Sequence, residues 1–452
     1  TRGSATRAPG RSGAPPTFSC YLRPRRGVVA IASEAYHPPR GTRRPAATAF
    51  RGGDDMGKPL EGVRVLDLTN VLAGPFCCHQ LAHFGAEVVK VEAAGRGDLA
   101  RNLGADPELN AKGMGVSFLA QNAGKKSVTL NLKHPSGVAL LKRLVAASDA
   151  LVENFRPGVM DRLGVGYEAL KAENPRLIYC AISGFGQDGP WVHRPAYDQI
   201  VQGASGVMSI TGDGESAPLR VGYPIADTVG GMTAAFAVAA ALNAEPRGCF
   251  LDVSMLESVL ATMGWVVSNH LIAGVEPTPQ GNENPTSAPS GTFAAGGGPI
   301  NIAANKDEQW EALARHLGRE DLLSDPAYAT REDRKRNRHA LRSELETVLV
   351  TRSARDWAKE LNRIGVPAGA VLTVPEVLAM PQIAERGFLA RFAEAPGVGR
   401  PIDVVTTGVK IDGAPATVDA PPPELGRDTD AVLGELGLSP AEIAALRAEG
   451  AI

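Results

Sequence analysis

The sequence predicts an α/β fold in which helices cover both faces of a parallel sheet, the doubly wound arrangement. Three observations support this prediction. Short apolar runs rich in β-branched residues alternate with longer helical segments between residues 60 and 183, and strands joined by helical crossovers pair in parallel. Gly and Pro separate the segments. The composition, 44% hydrophobic and 21% charged over 452 residues, is typical of a chain with a large packed core.

The first strand–helix–strand unit begins at residue 63. Residues 63–69 form a short apolar run after a glycine and predict a buried strand. A helix is predicted from Pro75 to Phe84, since proline suits the first turn of a helix. Gly85 follows at the position where a left-handed residue ends many helices, and residues 86–92 predict the second strand. This spacing is that of one βαβ unit.

The alternation continues over the next ninety residues. The predicted strands are residues 127–132, 150–155 and 177–183, and the predicted helices are residues 134–147, 157–163 and 167–173. Sheets of this kind bind ligands beyond the carboxyl ends of their strands. We therefore expect a site among residues 70–75, 93–98, 133 and 154–158.

The second half of the chain has a different pattern. Residues 228–243 are small and apolar all round, which predicts a helix buried on every side. A passage rich in Gly, Pro and Asn follows at residues 277–298. Beyond it the sequence predicts a strand at 300–304, charged helices at 306–317 and 331–350, and a terminal helix at 440–448. The charged helices indicate a separate, more polar domain that ends near residue 390.

Composition excludes several classes of protein. The chain has 47 basic and 49 acidic residues, a formal net charge of −2, which argues against nucleic acid as a partner. It has no run of 18 apolar residues, so we expect no transmembrane helix and no membrane partner. Five scattered cysteines without a C-x-x-C pair favour a reducing compartment over a disulfide scaffold. We therefore expect a cytoplasmic protein.

Residues 1–55 differ from the rest of the chain. They contain ten Arg, no Lys and three acids, a local charge of +7, together with many prolines. An Arg-rich, acid-poor segment resembles a transit peptide, although prolines disfavour the amphipathic helix that such peptides form. Three interpretations stay open: a disordered or non-native extension, a targeting segment that would direct the protein to mitochondria, and a genuine arm.

The sequence lacks the motifs of several common enzyme classes. No G-x-G-x-x-G occurs in the turn at residues 69–75, which disfavours a nicotinamide oxidoreductase, and there is no P-loop and no G-x-S-x-G. Gly296–Gly298 predicts a turn rather than an anion site. His79 and His83 lie one helical turn apart and could share a metal ion. Because no third ligand is evident, we predict helix packing for this pair and no metal.

Asp227 stands out by its position just before the predicted buried helix. Two roles are open, and they are compatible. As an N-cap, its side chain would accept hydrogen bonds from the amides of the first helical turn. As a nucleophile, it would be held ionised by the field of the helix and its free amides. An ionised carboxylate there could attack a carbonyl carbon without a separate base.

A series of motifs occurs in order along the chain. They are Gly62–Leu68, Ala73–Pro75, Phe84–Glu92, Lys125–Lys133, Val152–Gly158, Gly184–Pro190, Arg194–Asp198 and Ala226–Asp227. Together they resemble the family III CoA-transferases, a group that also contains the α-methylacyl-CoA racemases. The resemblance covers about residues 58–452 and implies two interlocked chains. Each chain would have a Rossmann-like large domain, built from both ends of the sequence, and an inserted smaller α+β domain.

The resemblance divides the chain into four segments. Residues 1–55 are the extension, residues 56–284 the first part of a large CoA-binding domain, residues 285–390 the small domain, and residues 391–452 a C-terminal segment that returns to the large domain.

The resemblance also assigns site residues. The family's nucleophilic aspartate matches Asp227. The residues that match its acyl-CoA ligands are Val71, Leu130, Lys133, Asn154, Phe155, Arg162 and Tyr197. Lys133 and Arg162 suit the phosphates of CoA, and Phe155 suits its adenine or pantetheine. The plainer alternatives are that the two cations are ordinary surface residues and that Phe155 belongs to the core.

The implied reaction moves CoA from an acyl-CoA such as succinyl-CoA to a carboxylic acid through an aspartyl-CoA thioester, with no tightly bound cofactor. Formyl-CoA:oxalate transferases carry Gln at the position of Leu72, Arg at the position of Ala93, and a four-glycine loop where this chain has residues 280–285. These differences disfavour oxalate and formate, so we expect a dicarboxylate such as succinate, glutarate, malate or citramalate.

Two alternative functions stay open at this point. A racemase would exchange the α-proton of a 2-methylacyl-CoA, and racemases that resemble this family use the His of a Gly-His-Asp stretch as one acid/base group. Here the aligned stretch is Ala196-Tyr197-Asp198, and tyrosine is a poor base near neutral pH, which favours transfer. A non-catalytic acyl-CoA-binding protein of the same fold is the second alternative.

Overall fold

A six-stranded parallel sheet forms the centre of the computed structural model, which describes residues 57–452; the interpretations of residues 1–55 concern a segment outside that range. The strands are β1 Arg64–Asp67, β2 Glu87–Glu92, β3 Lys125–Thr129, β4 Ala150–Glu153, β5 Ile178–Ser183 and β6 Cys249–Ser254. Their order is β3-β2-β1-β4-β5-β6, and every neighbouring pair is parallel. The predicted α/β fold with a parallel sheet is thus confirmed, although β6 was not predicted.

Ten helices lie between these strands or follow them, up to residue 273. They are α1 Ala73–His83, α2 Pro107–Ala111, α3 Val116–Leu119, α4 Pro135–Ala146, α5 Val159–Arg162, α6 Tyr167–Glu173, α7 Asp198–Ala204, α8 Ile225–Ala241, α9 Met255–Thr262 and α10 Trp265–Ala273. Pro75 is the third residue of α1 rather than the first. Gly85 has a φ of 102° just after this helix, as its position predicted.

The sheet separates two hydrophobic clusters. Successive residues of a strand point to opposite faces, so Val65 belongs to the cluster that α1 and α8 cover, whereas Leu66 belongs to the cluster that α4 covers. Both residues have no exposed surface. Parallel strands buried on both faces read as continuous apolar runs, which explains why these strands were recognisable in the sequence.

A third hydrophobic cluster is built only from residues between Phe293 and Val366. It lies between an antiparallel sheet and five helices: β7 Ser290–Phe293, β8 Ile300–Ala303, β9 Ala368–Ala370, α11 Asp307–His316, α12 Asp321–Ser324, α13 Arg331–Arg336, α14 Arg338–Leu349 and α15 Ala354–Arg363. Gly296–Gly298 connects β7 to β8, the predicted turn. The single helix predicted at residues 331–350 is wrong, because Asn337 ends α13 before α14 begins.

The C-terminal segment packs against the sheet formed by the first half of the chain. Val432 and Leu433 belong to the same cluster as Leu66, and Asp428 accepts a hydrogen bond from the amide of Ser127 at 2.8 Å. The remaining elements are α16 Val374–Leu378, α17 Pro381–Glu385, β10 Leu389–Phe392, β11 Ile402–Val405, β12 Lys410–Ile411, β13 Ala414–Pro415, α18 Thr429–Glu435 and α19 Pro440–Ala448. The domain boundaries at residues 285 and 390 stay predictions.

Helix α8 is not buried on every side in the single chain, so that prediction is wrong for the structure described. Its Gly230, Gly231 and Ala234 face the core, but Met232 is 50% exposed and Phe236 is 75% exposed. A uniformly apolar pattern indicates that all faces of a helix are shielded from water, but it does not indicate whether the same chain or another one shields them. No helix within residues 57–452 is long and apolar enough to cross a membrane.

Candidate active site

The candidate site lies beyond the carboxyl ends of β1 and β4. The order of the strands changes direction between these two neighbours, and ligand crevices of open α/β sheets form at such switch points. A cavity of about 380 Å³ opens there. The predicted site residues that line it are Val71, Asn154, Phe155, Tyr197 and Asp227.

A second cavity, of about 400 Å³, adjoins the first. The two cavities share Asn70 and Phe155 in their walls. The predicted residues Leu130 and Lys133 line the second cavity, while Arg162, the exposed last residue of α5, lines neither. Both volumes fall in the range of small-molecule sites. Seven of the eight predicted residues therefore come together around two adjoining cavities.

The position of Phe155 bears on whether it is a core residue or a residue that contacts a ligand. The ring is half-buried and packs on the edge of the hydrophobic cluster that contains Leu66. It also forms part of the wall of both cavities. The side chain is thus accessible to a ligand, as a residue of the deep core would not be. Lys133 is exposed at the mouth of the second cavity, where a cation can meet an anionic group.

Asp227 is the third residue of α8, and the close packing of α8 on α1 brings it to the cavity. A Cβ on Gly231 would lie 2.4 Å from the carbonyl oxygen of Ala73, so only glycine permits this approach of the two helices. The carboxyl group of Asp227 makes no hydrogen bond to another residue of the described range. The predicted N-cap role is therefore wrong, and Pro224 precedes the first residue of the helix instead.

The beginning of α8 is capped by Asp198, a residue that sequence reasoning missed. One of its carboxylate oxygens accepts hydrogen bonds from the amides of Ala226 at 2.9 Å and Asp227 at 3.4 Å. The other oxygen accepts a bond from Gln202 at 2.7 Å and lies 3.5 Å from the guanidinium of Arg220. The only signal in the sequence is its position next to Tyr197, and 29 residues separate it from Asp227.

The electrostatic surroundings of Asp227 are unlike those expected. Burial raises the pKa of the Asp227 carboxyl to about 7, and the negative charge of Asp198 adds to this effect. Desolvation disfavours the charged form of any carboxyl group. The expectation that the helix holds this group ionised is therefore wrong, because Asp198 occupies the amides that would do so.

Tyr197 immediately precedes α7, and its side chain is 70% exposed while lining the cavity of Asp227. None of the residues that line this cavity in the described part of the chain is a histidine.

His79 and His83 lie buried on α1 with ring centroids 4.3 Å apart. Burial lowers the pKa of His79 and lowers that of His83 to about 4. Both imidazoles are thus neutral parts of the core, and residues 57–452 hold no cluster of three metal-binding side chains.

Known proteins of one family resemble this chain over most of its length. The profile of CoA-transferase family III matches residues 60–429. An acetyl-CoA:oxalate CoA-transferase of Acetobacter aceti is 39% identical over 350 residues, 76% of this chain and 89% of the relative. A succinyl-CoA:glutarate CoA-transferase of Mus musculus is 36% identical over 385 residues, 84% of this chain and 87% of the relative. The Acetobacter relative is named for oxalate, an acid that the sequence disfavours for this chain. A relative's name does not test the acceptor of this chain, and that expectation stays a prediction.

Solved structures share the fold. The crystal structure of a CAIB/BAIF family protein from Brucella suis superposes with a TM-score of 0.74 at 34% identity, covering 84% of this chain and 100% of that one. A Mycobacterium tuberculosis protein superposes with a TM-score of 0.71 at 31% identity, covering 83% of this chain and 99% of that one. Since the family profile spans most of the chain and these relatives match over more than two thirds of it, the chain belongs to CoA-transferase family III.

Proposed function

We propose that this enzyme moves CoA from an acyl-CoA donor to a carboxylic acid acceptor through covalent intermediates on Asp227. One observation carries the proposal: a half-buried carboxyl group without a cationic partner in the described chain faces a cavity that adjoins a second, lysine-bearing cavity. The first cavity would hold the thioester and the acid. The second would hold the nucleotide part of CoA, whose phosphates Lys133 attracts.

The reaction has four steps. The carboxylate of Asp227 attacks the thioester carbon of the donor, giving a mixed anhydride and CoA thiolate. The thiolate attacks the aspartyl carbonyl and releases the donor acid, which leaves an aspartyl-CoA thioester. The acceptor carboxylate displaces CoA from this thioester to form a second mixed anhydride. CoA thiolate then attacks the acceptor's acyl carbon, which yields the new acyl-CoA and restores Asp227. Covalent catalysis of this kind replaces one difficult step with easier ones.

Two properties of the site suit these steps. A carboxylate with a raised pKa is more basic, and hence a stronger nucleophile, than an ordinary one. The amides of Leu72 and Ala73, at the beginning of α1, line the same cavity and donate to no other residue within 57–452. Free amides at a helix N-terminus stabilise negative charge. We assign them to the oxyanion that forms when the thioester or the anhydride is attacked.

The substrate class is proposed from chemistry and from relatives. Curated relatives from several organisms are named for succinyl-CoA as donor and for glutarate, mesaconate or citramalate as acceptor. We propose succinyl-CoA or a similar thioester as donor and a dicarboxylic acid as acceptor. The cavity of Asp227 contains a tyrosine and no histidine among its described lining residues, which favours acyl transfer over α-proton exchange.

A second copy of the chain is part of the proposal. Met232 and Phe236 of α8 are exposed. Helix α10 has no buried residue, and its large apolar side chains Trp265 and Ile272 are 82% and 86% exposed. Large apolar surfaces of this kind mark protein interfaces. We propose that they are buried in an interlocked homodimer, the arrangement that the family resemblance implies.

The experiment that tests the function is an acceptor screen. The full chain is incubated with succinyl-CoA and a library of carboxylic acids, and new CoA thioesters are identified by mass spectrometry. Asp227→Ala should abolish exchange and leave CoA binding intact. The matched control is Glu153→Gln, which replaces a buried carboxyl group outside both cavities and should retain exchange. Hydroxylamine added during turnover should leave a hydroxamate on Asp227.

Four outcomes would contradict the proposal. Exchange that survives Asp227→Ala would remove the nucleophile, and a hydroxamate found elsewhere would relocate it. Deuterium from solvent that enters the α-carbon of a 2-methylacyl-CoA without any acceptor acid would indicate a racemase. A wild-type protein that binds CoA but exchanges it with no acid would indicate a binding protein.

A further inference from the structure

The segment between β1 and α1 forms part of the wall of both cavities, and one side chain holds its middle. Asn154 accepts a hydrogen bond from the amide of Asn70 with 2.8 Å between nitrogen and oxygen. Its side-chain nitrogen also donates to the carbonyl oxygen of Asn70 at 2.9 Å. Both polar groups of one residue's backbone are thus bound by a single carboxamide. These two hydrogen bonds fix the orientation of residue 70 relative to the end of β4.

A buried ion pair holds the two ends of the same segment. One carboxylate oxygen of Asp98 accepts a hydrogen bond from the amide of Val71 at 2.9 Å, and the other lies 3.0 Å from Nζ of Lys90. Lys90 in turn donates to the carbonyl oxygen of Thr69 at 2.8 Å. The backbone from residue 69 to residue 71 is therefore tied at every position to side chains from β2, from the loop after β2 and from the residue that follows β4.

The ion pair lies in the core of the large sheet. The side chains of Lys90 and Asp98 have exposures of 0% and 1%. Burial alone would lower the pKa of Lys90, but the carboxylates of Asp67 and Asp98 raise it above its usual value. Removing one member of a buried pair leaves an uncompensated charge. Thr69 and Val71 are thus anchored to a part of the core that cannot easily rearrange.

Val71 has a strained backbone conformation, which would not persist without these contacts. Its φ is 69°, in the left-handed region, which β-branched residues very rarely adopt. Strain of this kind persists only where the surroundings over-determine the conformation, and it is concentrated at functional sites. Leu72 and Ala73, whose amides are free in the described chain, follow directly in sequence.

We propose that Asn154, Asp98 and Lys90 act as a clamp that holds Val71 in its strained conformation and thereby positions the wall shared by the two cavities. In this role Asn154 is a positioning residue that acts through Asn70, where both polar atoms of its side chain are engaged. The inference rests on the proposed function, since the groups positioned are the amides assigned to the oxyanion. A misplacement of about 1 Å can lower a rate by about 10²-fold.

The first test separates positioning from binding. In Asn154→Ala the clamp loses both bonds to residue 70, so kcat for succinyl-CoA should fall by about tenfold or more, while the Kd of CoA measured by calorimetry stays within about twofold of wild type. Loss of a CoA ligand would instead raise Kd and leave kcat unchanged. A rise in Kd with an unchanged kcat therefore overturns the proposal.

The second test uses rescue. Glycine adopts the left-handed region at little cost, so Val71→Gly reduces the energy that the clamp must supply. In the Asn154→Ala background it should restore kcat by about threefold or more, and Val71→Gly alone completes the double-mutant cycle. A residue that merely bound CoA would gain nothing from glycine at position 71. Absence of any rescue contradicts the clamp.

Controls keep these outcomes apart. Asn174 also holds backbone with its side-chain amide, which donates to the carbonyl oxygens of Val145 and Ser148, and none of these three residues lines either cavity. Asn174→Ala should lower thermal stability and leave kcat unchanged. If Asn154→Ala does not fold, Asn154→Asp replaces it, because its second oxygen would repel the Asn70 carbonyl without changing volume.

A crystal structure of the Asn154 variant gives a readout that does not depend on activity. Val71 should relax to a negative φ, and an unmoved segment would overturn the clamp. If wild-type protein transfers CoA to no acid, the proposed function fails by itself, and this structure still decides whether the clamp exists.

Discussion

The raised pKa of Asp227 predicts how the rate depends on pH. Burial and the charge of Asp198 raise the pKa of this carboxyl to about 7, and only the ionised form can attack a thioester. The ionised fraction is then about one tenth at about pH 6, about one half at about pH 7 and about nine tenths at about pH 8. The rate of attack should therefore rise about ninefold between about pH 6 and about pH 8.

The assay is the pH profile of kcat/KM for the acyl-CoA donor, taken from initial rates of new thioester formation at constant ionic strength. This constant reports ionisations of the free enzyme. Ordinary carboxylic acids have pKa values well below this range, so the acceptor stays fully ionised and contributes no slope. An ascending limb that moves or disappears when a titrating residue is replaced is then assigned to that residue.

Glu153 supplies the control, because burial raises the pKa of its carboxyl to about 7 as well. It lies at the end of β4, bonded to the amide of Phe155 at 2.7 Å. Glu153→Gln should keep the ascending limb if Asp227 is responsible. A profile that is flat across this range, or an ascending limb that disappears in Glu153→Gln, would refute the assignment.

Three further predictions concern neighbouring features. Asp198→Asn keeps an oxygen for the amides of α8 and removes a negative charge, so the midpoint of the pH profile should move to lower pH; an unchanged midpoint would show that burial alone sets it. The folded pKa of Asp227 lies above its ordinary 3.8, so the folded state loses stability as pH rises from about 4 to about 7. Asp227→Asn should therefore raise the thermal midpoint at about pH 8 while abolishing exchange, as differential scanning calorimetry can measure; a lower midpoint would contradict the cost of ionisation. Phe236→Asp should shift the protein from dimer to monomer in light scattering, with Lys359→Asp as the exposed control.

Features of the fold that depend on local pattern were predictable from the sequence. The strand around Val65 lies under helices on both faces and reads as a continuous apolar run. The terminal helix beginning at Pro440 follows Ser439, whose side chain accepts a bond from the amide of Glu442. Strand β6 was missed because only two of its six residues are buried, and its pairing partner β5 lies about seventy residues earlier in the chain.

The site divides in the same way. Family motifs indicated the residues that face the cavities, and the parallel sheet predicted the edge at which they meet. Asp198 ends one of these motifs, but neither signal could indicate that it caps α8, because that role depends on a contact between α7 and α8. Lys90 was read as one more residue of an apolar strand, because a sequence does not distinguish a buried paired lysine from an exposed one. The left-handed conformation of Val71 is likewise a product of tertiary contacts.

Two aspartates show why pairing, rather than depth, sets the chemistry of this site. Asp67 has no exposed surface, and burial alone would raise its pKa, yet the cations of Lys125 and Lys90 hold that pKa well below the usual value. Asp227 is only half-buried and has no cation within ion-pair distance in the described chain, and its pKa is raised. Arg220 contacts Asp198 instead. A cation at Asp227 would keep the carboxylate ionised at a lower pH but would weaken it as a nucleophile, since basicity and nucleophilicity fall together. An uncompensated carboxyl group is thus unfavourable for folding and favourable for attack on a thioester, which is the combination expected of a catalytic nucleophile.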